Sequence, residues 1–284
     1  MIRIVTDSTT SLPPELIRQY GIKVVPYAIQ FAGESYRDGI DITIEQFEAK
    51  WREEGTMPKT AIPSPGEFLE AYQAMAQSGD TVISIHAGRK ISGICGSAEL
   101  AAAEVPDIDV TVVDSNITSM PLGYMVLEAA KAAQAGKGKE EILSIIEEVR
   151  GRVGFFGTSV ELEFIKSSGR IVGAEEAADS LVKVKPVMVF DDGVPKVVDK
   201  VRRQSAVLNR IVEMAQEAAA GRAIKEAAIV HANVEEIALS FKEKVERELA
   251  PVSTMVTQLG ATLTVHLGPG SLILVPYYAG AALV

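Results

Sequence analysis

Short apolar runs alternate with stretches of helical spacing along most of this chain. IRIV (2–5), TVISIHA (81–87) and VTVVD (110–114) read as buried strands, each followed by a polar turn and a helical pattern. A helix is predicted around 13–20, a strand at IKVVPYAIQF (22–31) with a turn at Gly33 and Glu34, and helices at 44–54, 119–135 and 139–150. A second half opens with a strand at FFGTS (155–159) and helices near 161–167 and 174–182. Residues 184–201 read as a hairpin, two apolar runs around Asp191-Asp192-Gly193. Helices near 203–220 and 234–249 flank a strand at 227–232, and VSTMVT and ATLTVHLGPGSLILVPYY read as closing strands. Such alternation is the mark of an α/β fold. With 284 residues, two domains are expected. They are an N-terminal three-layer α/β/α domain on a parallel sheet (1–152) and a C-terminal α/β domain with a mixed sheet (153–284).

One loop is fixed more firmly than its neighbours. In KTAIPSPGEF (59–68), Ser64-Pro65-Gly66-Glu67 is a capping box with proline at the first helical position. Phe68, Leu69, Tyr72, Met75 and Ala76 follow at helical spacing. Thr60 lies just upstream, where Pro63 favours extended backbone. A well-capped surface helix explains the pattern equally well.

Composition narrows the function. A net charge of −10 argues against nucleic acid or an anionic membrane surface as a general partner, while leaving room for a small anion held locally. The longest apolar run, 271–284, contains Pro276 and is shorter than the roughly 20 residues a bilayer span needs. MIRIVTDS has no basic region followed by an apolar one, so no secretory signal is expected. The single cysteine, Cys95, suits a reducing cytoplasm and reads as packing.

Hydroxyls recur at strand ends. TDSTTS (6–11), with Ser8, follows the first strand; GRKISGICGS (88–97) follows 81–87; DSNITS (114–119), with Ser115, follows 110–113. Open parallel sheets bind ligands beyond the carboxyl ends of their strands. Hydroxyls and N–H groups at a helix start hold an anion there without a lysine. Ser92 with the Gly93 N–H is the best such pair, although each cluster also serves as a helix cap. In HLGPGS (266–271), His266 is expected at a strand end, and Gly268 lets another group approach the backbone. Arg170 sits in a turn within KSSGR (166–170). The chain has no P-loop, no dinucleotide fingerprint after the first strand, no G-x-S-x-G elbow and no histidine or cysteine pair at metal spacing. No cofactor or metal is expected.

TDSTTSLP (6–13), KTAIPSPGEF, ISGICGSA (91–98), VVDSNITS with GYMV (112–126), SSGRI (167–171), KPVMVFDDG (185–193) and HLGPG (266–270) stand in order along the whole chain. In these motifs the sequence resembles the DegV family of bacterial fatty-acid-binding proteins. The resemblance implies two α/β domains with an acyl chain such as palmitate buried between them. It implies a carboxylate held by Thr60, by Ser92 with the Gly93 N–H, and by His266. It connects Arg170 with phosphate or with a kinase, because some members carry the lipid for an ATP-binding fatty-acid kinase. The chain itself would then be a lipid-binding protein rather than an enzyme. It departs from the family where HAGRK (86–90) replaces serines and where Ile94-Cys95-Gly96 replaces T-Y-Q. Two other readings stand beside this one: a dihydroxyacetone-kinase-like phosphotransfer subunit that binds a small carbonyl compound through His266, and an interaction protein with an incidental cavity.

Overall fold

The computed structural model of the chain describes residues 1–31, 33–179 and 184–280. The chain forms two compact units, one of Met1–Thr43 with Pro58–Gly151, the other of Ile44–Met57 with the chain from Arg152 onward. The first opens with β1 (Ile2–Asp7), α1 (Pro14–Gln19), β2 (Lys23–Val25), β3 (Ala28–Phe31) and β4 (Glu34–Arg37). The next helix, α2 (Ile44–Glu54), packs with the second unit, although a boundary near 152 alone would place it in the first. The first unit resumes with β5 (Lys59–Ala61), α3 (Pro65–Met75), β6 (Thr81–His86), α4 (Ile94–Ala103), β7 (Asp109–Asp114), α5 (Ser119–Gln134) and α6 (Lys139–Arg150).

Its main sheet is parallel throughout, in the order β2-β1-β6-β7. Strand alternation sends Val5 and Val82 to the face covered by Phe68, Tyr72, Ile94 and Ala98 of α3 and α4. Ile4, Ile83 and Ile85, of opposite parity, are just as buried, and α5 packs against β1 and β6. The result is the expected three-layer arrangement. The strand predicted at 22–31 is two strands. Pro26 offers no N–H to a ladder, and after it the chain leaves the parallel sheet for a small antiparallel one, β4-β3-β5.

The second unit continues with β8 (Phe156–Thr158), α7 (Leu162–Ser167), α8 (Ala174–Ala178), β9 (Lys185–Asp191), β10 (Val194–Val201), α9 (Gln204–Ala219), β11 (Ile224–His231), α10 (Glu235–Leu249), β12 (Ser253–Gln258), α11 (Ala261–Leu267) and β13 (Leu272–Tyr278). The end of the helix predicted at 174–182 lies outside the described residues. The mixed sheet runs β10-β9-β8-β13-β11-β12, with β11 and β12 the parallel pair. Val207, Ile211 and Phe241 of α9 and α10 pack with Ile229, Leu272 and Leu274. The 191–194 hairpin is as predicted: Asp192 and Gly193 both have positive φ, 47° and 76°, as a tight two-residue turn requires.

ATLTVHL, expected as strand, is helix α11. Ala261, Thr262, Leu263, Thr264, Val265 and Leu267 are all buried, so no alternation separates a strand from an enclosed helix. Thr264 Oγ1 bonds back to the Gly260 carbonyl at 2.7 Å, which suits its branched side chain to the first turn.

Candidate functional site

From β1 the sheet of the first unit grows to β2 on one side and to β6 on the other. The carboxyl ends of β1 and β6 therefore flank a topological switch point, the usual ligand crevice of such sheets. Ser8 follows β1 in a short 3-10 turn capped by Asp7, whose Oδ1 accepts from Thr9 N at 3.0 Å and Thr9 Oγ1 at 2.6 Å. Ser92 and Gly93 follow β6 and lead into α4, with Gly93 as its N-cap. Ser92 is half-buried and Gly93 exposed. Ser92 Oγ accepts from Ile94 N at 3.3 Å.

Thr60 sits in β5, a strand the sequence pattern did not mark, opposite Ile29 of β3. The capping box downstream is formed in full: Ser64 Oγ accepts from Glu67 N, and Glu67 Oε2 accepts from Ser64 N at 2.8 Å. Ser97 of α4 donates to the Pro63 carbonyl at 2.6 Å, and a Cβ on Gly93 would lie 3.6 Å from Ile62 Cδ1. The loop after Thr60 is thus tied to the start of α4, the helix that Ser92 leads into.

Tyr27 joins these parts. Its N–H donates to Ser8 Oγ at 3.1 Å, its hydroxyl lies 2.6 Å from Ser92 Oγ, and the next two residues pair with Ala61 and Thr60. Sequence reasoning missed it. The available signal was one aromatic just after the proline that breaks 22–31.

Ser115 has a more local part. Its hydroxyl donates to the Ile117 carbonyl at 2.8 Å, and its N–H donates to the His86 carbonyl at 3.0 Å. With Gly88 N bonded to the Ile117 carbonyl, the loops after β6 and β7 are stapled together. A Cβ on Gly88 would lie 2.9 Å from the Asn116 backbone, so the staple needs glycine there. Cys95 is fully buried, and burial pushes its thiol up to about 12, which removes its nucleophilic form. Arg89 pairs with Glu99 on the surface.

The second unit holds His266, Gly268 and Arg170. His266 is in the last turn of α11, not at a strand end. Burial, and after it the positive charge of Arg170, pushes the imidazole down to about 3, so it is neutral near pH 7. Its Nδ1 lies 3.4 Å from the hydroxyl of buried Ser168. Arg170 is exposed and donates from Nη1 to the Ser168 carbonyl at 2.9 Å. Gly268 caps α11 at φ 83° and ψ 157°. The close approach it permits is made by the chain itself: a Cβ there would meet Glu161 Cβ at 3.0 Å and Phe164 Cβ at 3.2 Å. It acts as a spacer that lets α7 close on the end of α11. Trp51 of α2 packs edge-on against Phe164, ring centroids 4.8 Å apart.

A second polar constellation was invisible beforehand. His86 Nδ1 lies 3.0 Å from Asp7 Oδ2, Ser84 Oγ lies 2.6 Å from His86 Nε2, and Tyr72 donates to Ser84 at 3.0 Å. All four residues have no exposed surface. The spacing resembles a nucleophilic triad, but no reactant reaches it, and Ala87 N also donates to Asp7 Oδ2 at 3.0 Å. Its work is to hold the ends of β1 and β6. A surface groove of about 560 Å³ lies along β7 and α6, lined by Asp114, Glu140, Glu147 and Arg150, and includes none of the candidate residues. Among the described residues no helix is long and apolar enough to cross a membrane, and no group of three His, Cys, Asp or Glu could hold a metal ion.

The model of the family described as "Uncharacterised protein, DegV family" matches residues 1–277. A DegV domain-containing protein of Caldanaerobacter subterraneus is 35% identical over 268 residues, 94% of this chain and 95% of its own. A Thermus thermophilus structure, described as fatty acid binding of a DegV family protein, superposes with a TM-score of 0.91 at 33% identity, covering 98% of this chain and 99% of that one. The structure of DegV from Bacillus subtilis, described as a fatty acid binding protein, gives a TM-score of 0.87 at 32% identity, with 97% and 99% covered. Ordered motifs, an α/β fold with one parallel and one mixed sheet, and these likenesses agree: the chain belongs to the DegV family.

Proposed function

We propose that this chain binds a long-chain fatty acid, with its carboxylate on Thr60, Ser92, the Gly93 N–H and His266 and its tail buried in protein. The observation that carries the reading is the donor set. Ser92 and the Gly93 N–H stand at the sheet's switch point, with the loop after Thr60 tied to the start of α4. Two solved relatives above 30% identity are described as fatty acid binding, which supports the ligand class.

The energetics fit. Each buried methylene contributes about 0.8 kcal/mol, so a tail of roughly 14 yields on the order of 11 kcal/mol gross. Hydrogen bonds to a charged head add about 1.5–3 kcal/mol each. The tail sets affinity and the head sets orientation. Neutral donors hold a carboxylate without a tight ion pair, which leaves one oxygen able to react. We place that oxygen before the γ-phosphorus of ATP carried by a separate kinase subunit. It attacks phosphorus, ADP departs and an acyl phosphate forms. Exposed Arg170 is positioned to meet that partner or its phosphate.

Protein purified from a bacterial host should carry one fatty acid per chain, read by native mass spectrometry and by solvent extraction. A folded chain of lipid-free mass that also takes up no added palmitate overturns the reading. A small carbonyl compound in place of lipid would favour the dihydroxyacetone-kinase-like alternative.

A further inference from the structure

We infer that Tyr27 is a positioning residue that polarises Ser92, making its hydroxyl a dedicated donor and the site selective for an acceptor-only head group. The inference rests on the fatty-acid reading and adds to it the rule by which the head is recognised. A serine hydroxyl has one proton to give and two acceptor positions. Ile94 N–H occupies one position of Ser92 Oγ at 3.3 Å. The Tyr27 hydroxyl lies 2.6 Å away and occupies the second. A phenol, with a pKa of about 10, is a stronger acid than an aliphatic alcohol, so Tyr27 donates and Ser92 accepts. The Ser92 proton is then directed to a ligand, and each hydrogen bond in the chain strengthens the next.

Tyr27 is well placed for this task. It is buried, its N–H is fixed on Ser8 Oγ at 3.1 Å, and the strand that follows it, β3, is locked to β5. Ser8 follows Asp7, which His86 and Ala87 N hold at the end of β6. The orientation of one hydroxyl is thereby tied to the interior of the sheet. A head group with its own donors, such as a primary amide, meets no acceptor at Ser92. An ionised carboxylate, which only accepts, meets a proton.

The test compares Kd for palmitate and for palmitamide, an uncharged head of nearly the same shape. In Tyr27→Phe one acceptor position of Ser92 is released. Palmitate affinity should fall about fivefold and palmitamide affinity should hold or rise, so the acid-to-amide ratio drops. In a Ser92→Ala background the same substitution should leave the ratio unchanged, because Tyr27 acts through Ser92. An unchanged ratio in the single variant, or equal losses for both ligands, overturns the role of Tyr27. The fatty-acid reading survives those outcomes as long as the wild-type chain still prefers palmitate. A wild-type chain that binds neither ligand sinks both. Thermal melting of Tyr27→Phe separates loss of fold from loss of selectivity.

Discussion

The two units present neutral donors by different means. In the first, Thr60, Ser8 and Ser92 are aliphatic hydroxyls, which never ionise in the physiological range; Ser8 and Ser92 are held by hydrogen bonds to Tyr27, and Thr60 by the pairing of β5 with β3. In the second, His266 is a base held neutral by burial and by Arg170, within packing that Gly268 makes possible. A hydroxyl costs little to keep neutral but has to be aimed. An imidazole is stiff and well aimed but has to be kept from its proton. The first unit therefore depends on its polar network, and the second on shape and on pH.

The largest expected effect comes from breaking the network. Asp7→Ala strands the buried Thr9 and Ala87 N–H groups and the His86 ring together. With about 1–3 kcal/mol for each unsatisfied buried donor, a loss of roughly 4 kcal/mol is expected. Denaturant unfolding would measure it, and a loss below about 1 kcal/mol would mean the network is ornamental.

Gly268→Ala is the matching lesion in the second unit. Its φ of 83° with ψ of 157° is a conformation nearly reserved for glycine, and the new methyl would press on Glu161 and Phe164. Strain and overpacking together suggest roughly 3 kcal/mol. The ring of His266, on α11 two residues before Gly268, should shift as α11 and α7 are pushed apart, so palmitate affinity should fall too. Gly66→Ala, where the nearest atom is Ser64 Oγ at 3.8 Å, is the control expected to do little.

This contrast also explains what the sequence disclosed. The places of Ser8 and Ser92 after β1 and β6, and the capping box downstream of Thr60, were legible because strand ends and caps are local patterns. The hairpin at Asp192-Gly193 was legible for the same reason. The Asp7–His86–Ser84 network was not, since it depends on β1 and β6 lying side by side, 79 residues apart in the chain. Helix α11 was misread as strand because a segment buried on all sides carries no periodicity, so His266 was placed on the wrong kind of element. Tyr27 was not singled out at all, because its bonds to Ser8 and Ser92 join residues far apart in the chain. The transfer of α2 to the second unit is a non-local event that no window of sequence records.

A smaller effect bears on the head group itself. Ser92→Ala should weaken palmitate binding about tenfold, by loss of a bond to a charged acceptor. Cys95→Ala, in the same helix start, should change affinity less than twofold, because its thiol lies buried against the Ala87 carbonyl at 3.7 Å. Equal effects in a fluorescent fatty-acid displacement assay would remove Ser92 from the site.

The subtlest effect is the pH response peculiar to the second unit. In the folded lipid-free chain His266 resists protonation down to about 3, whereas the unfolded chain takes up that proton near the ordinary value of about 6.5. Between those values the unfolded state binds more protons, so this group's contribution to stability falls as pH is lowered from 6.5 towards 3 and is fully present above that window. A carboxylate bound beside the ring favours the imidazolium and offsets the loss. Palmitate should therefore raise the melting temperature more at pH 5 than at pH 7.5, and His266→Gln should erase the difference between the two. Should the variant keep the wild-type pH dependence, the lipid head does not lie against His266.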